Sequence, residues 1–207
     1  MPSSTAVEWP STNIVPGSHM LSNWPPMKER GPQIAEAAVV RFETQLGTKL
    51  PDDYRAFLLE VNGGQTELSH TRFMLVTRKG RRDWTRLNSL NSLDDPDDQF
   101  NLATRWMSSH QQFPPAFPDI PPELPDLPPE VLPIGYDDFG GTVGLVVAGP
   151  RRGQVWFLDG ASDRPEGSNP RVDWFDRREV FKLAHSFREF MASLGPPPSS
   201  PLDKPIT

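Results

Sequence analysis

The chain has no cysteine among its 207 residues. That excludes a disulfide scaffold, a thiolate zinc site and a cysteine nucleophile. It also lacks any apolar run near the roughly 20 residues a helix needs to span a bilayer. Its first residues carry neither the basic start nor the apolar stretch of a secretory signal, so a cytoplasmic location is expected. Histidine is scarce, and His19, His70, His110 and His185 form no H-E-x-x-H pair or other metal-ligand spacing. There is no G-x-S-x-G nucleophile elbow. Gly140, Gly141 and Gly144 are too close for a dinucleotide fingerprint, and no Walker lysine follows them. Positive charge is short as well. The 21 Lys and Arg stand against 27 Asp and Glu, for a net charge of −6. Neither nucleic acid nor an anionic membrane is the expected partner of such a chain.

Proline, in contrast, is abundant, with 25 residues gathered at the two ends and in one internal stretch. Residues 1–31 read as a flexible Pro/Ser-rich extension in which Trp9 and Trp24 are the side chains able to dock. Residues 196–207 read as a disordered tail. Between about 111 and 133 the prolines are too dense for a helix or a central strand. That stretch is expected to lie extended over the domain, anchored by Phe113, Phe117 and Ile120, or to serve as a partner-binding arm.

The remaining segments within 32–195 carry clear periodicities. A first helix is predicted from Pro32, since a proline suits a first helical position. Ile34, Ala38, Val39, Phe42 and Leu46 line one face of it, and Gly47 ends it. Leu50-Pro51-Asp52-Asp53 opens a second helix, whose aspartates complement the positive end of the helix dipole. Tyr54, Phe57, Leu58 and Val61 are its apolar face, and Asn62-Gly63-Gly64 stops it. Phe73 to Thr77 reads as a strand, Lys79 to Arg82 as a turn and Trp84 to Leu87 as a short strand. Asp94 to Asp98 breaks the chain before a helix over about 97–108, burying Phe100, Leu102, Ala103 and Trp106. Val131 to Ile134 precedes a glycine turn from Gly135 to Gly141. Val143 to Ala148 and Gln154 to Leu158 then flank a second turn as an antiparallel hairpin. The run Gly144-Leu145-Val146-Val147-Ala148 hardly alternates, so its strand is expected to be covered on both faces. Asp176 and Glu179 resemble a capping pair. They predict a last helix through Val180, Leu183, Ala184, Phe187, Met191 and Leu194, ended by Gly195 and the prolines. Phe187 and Phe190 are assigned to its buried side.

Three of these segments, in this order, resemble the SUKH superfamily, which includes fungal cell-wall assembly regulators and bacterial toxin-immunity proteins. They are Phe42 to Gly64, Leu132 to Gly160, and Leu183 to Leu194. The first has an acidic residue on its helix, Leu-Pro before the next helix, the aromatic Tyr54, and Asn-Gly-Gly. The second has a glycine turn and a hairpin, with Gly141 where the family commonly has Asn or Asp. The third is like the family's closing helix. The resemblance implies one α+β domain over 32–195, a mainly antiparallel sheet packed against helices. It implies action by protein–protein binding rather than catalysis. In a bacterial cytoplasm that means neutralising a cognate toxin, a nuclease or other effector of interbacterial competition. The other reading is a regulatory interaction module of the same fold with no toxin partner.

The residues themselves suggest no enzyme, cofactor or metal. Asp137, Asp138, Asp159 and Asp163 could converge near the hairpin end, but they offer no further ligand at fixed spacing. A partner surface accounts for the acids better. Acidic groups steer a basic partner, while aromatic anchors carry affinity. Tyr136 and Phe139, in a glycine-rich turn, are the first candidates, with Asp137 and Asp138 beside them. Trp84 and the acidic loop Asp94, Asp95, Asp97 and Asp98 are expected to join them. The free protein is expected to be a monomer.

Overall fold

The computed structural model describes residues 24–67, 71–76, 82–94, 101–103, 105–106, 127–159, 174–176 and 180–196. In chain order they form β1 (Met27–Arg30), α1 (Glu36–Leu46), α2 (Asp52–Glu60), β2 (Gly64–Thr66), β3 (Arg72–Val76) and β4 (Arg82–Leu90). β5 (Val131–Asp137), β6 (Thr142–Val146), β7 (Val155–Leu158), β8 (Val180–Ala184) and α3 (Phe187–Ser193) follow. The strands pair antiparallel in the order β1-β2-β4-β5-β6-β7-β8, and β3 pairs with the first part of β4. This is the α+β architecture that the sequence predicts.

The helices cover one face of the sheet. Val39 and Phe42 of α1, Tyr54, Phe57 and Leu58 of α2, and Phe187, Phe190 and Met191 of α3 are buried there. They meet Phe73, Leu87, Leu132, Ile134, Val143, Leu145 and Phe157 from the strands. Phe187 sits at the centre, with ring centroids 4.8 Å from Tyr54 and 5.0 Å from Phe57. The opposite face of β5–β8 has its own smaller cluster of Leu127, Val131, Val146, Trp174, Phe175 and Val180. Successive residues of a strand point to opposite faces. Leu145 and Val147 therefore join the large core while Val146 joins the small one. The double cover predicted for this strand is present.

The glycine and asparagine stops act as expected. Gly47 takes φ 68° and its N–H returns to Thr44 O. Asn62, Gly63 and Gly64 all have positive φ. Asn62 does more than end α2. Its buried amide donates to Pro32 O and Leu93 O, each at 2.7 Å, and accepts from Leu93 N at 2.8 Å. That clasp holds Pro32 outside the helix, so α1 begins at Glu36 after an extended Ala35 and not at Pro32. Glu43 of α1 accepts from Leu50 N at 3.0 Å and pairs with Arg55, fixing the loop between the two helices.

Several expectations change. Residues 24–31, assigned to the flexible extension, belong to the fold. Trp24 is buried against Phe57 and donates to Glu60 Oε2, and β1 pairs with β2. The predicted last helix is two elements. Val180–Ala184 is a strand that pairs with β7, and α3 starts only after Ser186, whose Oγ accepts from Glu189 N. Asp176 lies in a short 3-10 turn of Trp174–Asp176 instead of capping that helix. The predicted Gly135–Gly141 turn is shorter, because β5 continues through Gly135 and Tyr136 to Asp137. Pro133 sits inside this central strand, at a register shift between Pro133 and Gly135 that tolerates its missing N–H. β4 also runs beyond the predicted Trp84–Leu87. Of the helix expected over 97–108, residues 102, 103, 105 and 106 are helical and Leu102 is fully buried. Phe100, the anchors Phe113, Phe117 and Ile120, and Asp163 lie outside the described residues.

Candidate functional site

The turn between β5 and β6 is shaped by one carboxylate. Asp137 Oδ1 accepts from Phe139 N at 2.9 Å and from Gly141 N at 2.7 Å, and Oδ2 accepts from Thr85 Oγ1 at 2.7 Å. Its own N–H donates to Gly141 O. An ionised carboxylate offers about four lone-pair sites. Asp137 thus satisfies two orphan amides of the turn and ties the turn to β4. It is only 4 % exposed. Expected as a contact residue, Asp137 is placed as the support of the turn. Gly141 completes the turn by close packing. A Cβ there would stand 2.3 Å from a ring atom of Phe157. Held this way, the turn carries Phe139 into solvent at 72 % exposure.

Beside the turn lies the outer face of the β3–β4 hairpin. Phe73 and Leu75 of β3, and Thr85 and Leu87 of β4, point inward. Alternation then turns Arg72, Met74 and Val76, and Arg82, Trp84 and Arg86, outward. The register sets Met74 opposite Trp84, Arg72 opposite Arg86 and Val76 opposite Arg82. Leu87 pairs with Asp137, which brings the turn alongside the Thr85 part of β4. Asp138 Oδ2 reaches Arg86 Nε at 3.0 Å across this junction. Tyr136 is half-buried, with the Arg105 guanidinium 5.6 Å from its ring centroid. Val76 at 46 %, Trp84 at 39 % and Phe139 are three of the four large apolar side chains exposed among the described residues, and Val40 on α1 is the fourth.

The acidic loop does not join this corner as far as it is described. Asp94 has φ 58° and pairs with Arg41 of α1 at 3.5 Å, both largely exposed. It follows the far end of β4. Trp84 and Leu90 are six residues apart on that strand, roughly 20 Å at an ordinary strand rise. Asp95, Asp97 and Asp98 lie outside the described residues. Composition drew attention to acids, but the side chains gathered round Trp84 are Arg72, Met74, Val76, Arg82 and Arg86. The signal for them was the alternation in Arg72-Phe73-Met74-Leu75-Val76 and in Arg82 to Leu87.

Chemistry-bearing groups are sparse elsewhere. Among the described residues no group of three or more His, Asp or Glu is arranged to hold a metal ion. His185 is exposed, 3.0 Å from Lys182 Nζ. A recess of about 50 Å³ beside Tyr136 is lined by Asn91, Arg105, Pro133, Gly135 and Thr142. It has room for a few water molecules and not for a sizeable ligand. In the core, burial pushes the Tyr54 phenol far up.

No helix among the described residues is long and apolar enough to cross a membrane. A search of curated proteins found no match. The SMI1 / KNR4 family (SUKH-1) model matches residues 33–193 of the 207, spanning both helical stops, the Asp137 turn and α3. The chain belongs to the SMI1 / KNR4 family (SUKH-1).

Proposed function

We propose that this protein is a bacterial immunity protein that binds a cognate toxin in the cytoplasm and neutralises it by covering the surface the toxin works with. The observation that carries the reading is the corner where Trp84, Val76 and Phe139 stand exposed on a backbone held by buried contacts. Exposed apolar groups on a rigid support mark interaction sites, and a pre-shaped surface loses little entropy when it binds. Membership of a family in which protein binding is the common mode points the same way. Trp84, Phe139, Tyr136 and Asp138 make the contact, and Asp137 keeps the turn in shape. No covalent step is involved, and the free protein is a monomer.

Co-expression with the product of the adjacent reading frame tests this. Toxicity of that product, relieved by this chain, is the expected result. Relief should be lost when Trp84 and Phe139 are both changed to Ser while the circular dichroism and melting temperature hold. Relief that survives the double change rejects this corner as the site. A neighbour that is harmless alone, yet forms a complex with this chain, replaces the toxin role with a regulatory one.

A further inference from the structure

We infer that the partner seated on this corner is a protein surface that presents carboxylates around an apolar side chain, although the chain itself is acidic overall. The inference rests on reading the corner as a protein-binding site, and it concerns the chemistry of what binds there.

The outer face of β3–β4 is a small apolar centre in a cationic frame. Met74 and Trp84 are directly opposite one another, with the Arg72–Arg86 pair on one side and the Val76–Arg82 pair on the other. Three guanidiniums thus surround Trp84, and the described carboxylate in contact with them is that of Asp138 on Arg86. Among the described residues, the guanidiniums of Arg72 and Arg82 have no ion-pair or hydrogen-bond partner. Arg72 and Arg86 share a face and a register position. Like charges placed directly opposite one another disfavour the pairing of the two strands. A carboxylate supplied from outside removes that repulsion and accepts two parallel N–H bonds from a guanidinium. Trp, Arg and Met are also the residues that interface centres favour.

The alternative polyanion is nucleic acid, whose phosphates would meet the same arginines. The whole molecule carries −6 and repels an extended phosphate chain at long range. The half-buried Met74 and the exposed Val76 and Trp84 also suit an apolar side chain better than a sugar–phosphate backbone. The geometry therefore favours an acidic protein segment. It reverses the expectation, based on composition, of an acidic surface seeking a basic groove.

The test titrates the full-length ¹⁵N-labelled chain with three probes. These are a short synthetic peptide alternating Glu with Leu and Phe, the same peptide with Lys for Glu, and a short oligothymidylate. The Glu peptide should shift the signals of Arg72, Met74 and Trp84, including the Trp84 indole, and bind more weakly as salt rises. The double change Arg72→Glu and Arg82→Glu should weaken it at least tenfold. The milder Arg72→Gln and Arg82→Gln pair should weaken it to an intermediate degree, and serves if the reversal perturbs folding. Equal binding of the Lys peptide, tighter binding of the oligothymidylate at these residues, or no shifts there with any probe overturns the inference. The adjacent-frame product separates this inference from the immunity role. A complex that persists through both arginine pairs overturns the acidic-partner inference and leaves the binding role. Glu-peptide binding without any such complex supports the acidic-partner inference and removes the toxin role.

Discussion

Two buried polar side chains show what single residues contribute here. The Tyr54 hydroxyl is fully buried and has no hydrogen-bond partner. Tyr54→Phe removes that uncompensated group while keeping the ring against Phe57 and Phe187, and should raise stability by about 1 kcal/mol in urea unfolding. The pH dependence follows from the same burial. The phenol ionises near 10 in the unfolded chain and well above that in the folded one. This residue therefore adds no pH dependence below about pH 10 and lowers stability above it, as the unfolded state releases a proton the native state keeps. Wild type should lose more stability between about pH 10 and 11 than Tyr54→Phe does. Asp137 is the opposite case, a buried carboxylate that accepts three hydrogen bonds. Asp137→Ala leaves Phe139 N, Gly141 N and Thr85 Oγ1 without their acceptor, and should cost about 3 kcal/mol. The amide signals of 138–141 should broaden or shift in the folded fraction. The pair Asp137-Asp138 was conspicuous in the sequence, but the split in their duties was not. One carboxylate is inside and one outside because alternation along β5 and β4 puts them there.

At the scale of elements, local chemistry marked the helix stops and failed most clearly in the last predicted helix. Gly47, Pro51 and Asn62-Gly63-Gly64 announce their turns because positive φ and a missing N–H are properties of the residue itself. The segment from Val180 to Leu194 is harder. Val180, Leu183, Ala184, Phe187 and Met191 satisfy helical spacing, yet Val180–Ala184 is a strand. Val180 serves the small cluster while Phe181 and Leu183 face the large one, an arrangement that needs β7 beside it. The true helix signal was Ser186 with Glu189. Ser186 Oγ accepts from Glu189 N at 3.1 Å, and Glu189 Oε2 accepts from His185 N at 2.8 Å. Ser186→Ala should lower stability by about 1 kcal/mol, seen as a lower urea midpoint with an unchanged slope.

The whole molecule is a sheet that has to be closed off, and residues distant in sequence do that. Gly195, after α3, exchanges main-chain hydrogen bonds with Arg72 at the start of β3. At the other side Trp24 lies over Phe57 and Phe187, with the Arg188 guanidinium 4.7 Å from its ring. Trp24→Ala should therefore cost about 3 kcal/mol, measured by thermal or urea unfolding. A purely dangling residue would show no change. The corner round Trp84 is assembled in the same way, from the outward side of β3 and β4 and from a turn some 50 residues later. The sequence by itself determined the absence of thiol chemistry, the α+β class, the helix stops, the doubly covered strand and the family. The thiol-free chemistry, the stops and the covered strand depend on composition, on periodicity and on what each residue permits its own backbone, while the class and the family follow from the resemblance carried by three ordered segments. Only the tertiary structure decided that Trp24 is core and Trp84 is surface, that Asp137 supports the turn and Asp138 pairs across it, and that arginines frame the exposed patch. Which face of a strand meets solvent is set by the register of its neighbours, and that register is a relation between segments that no single segment contains.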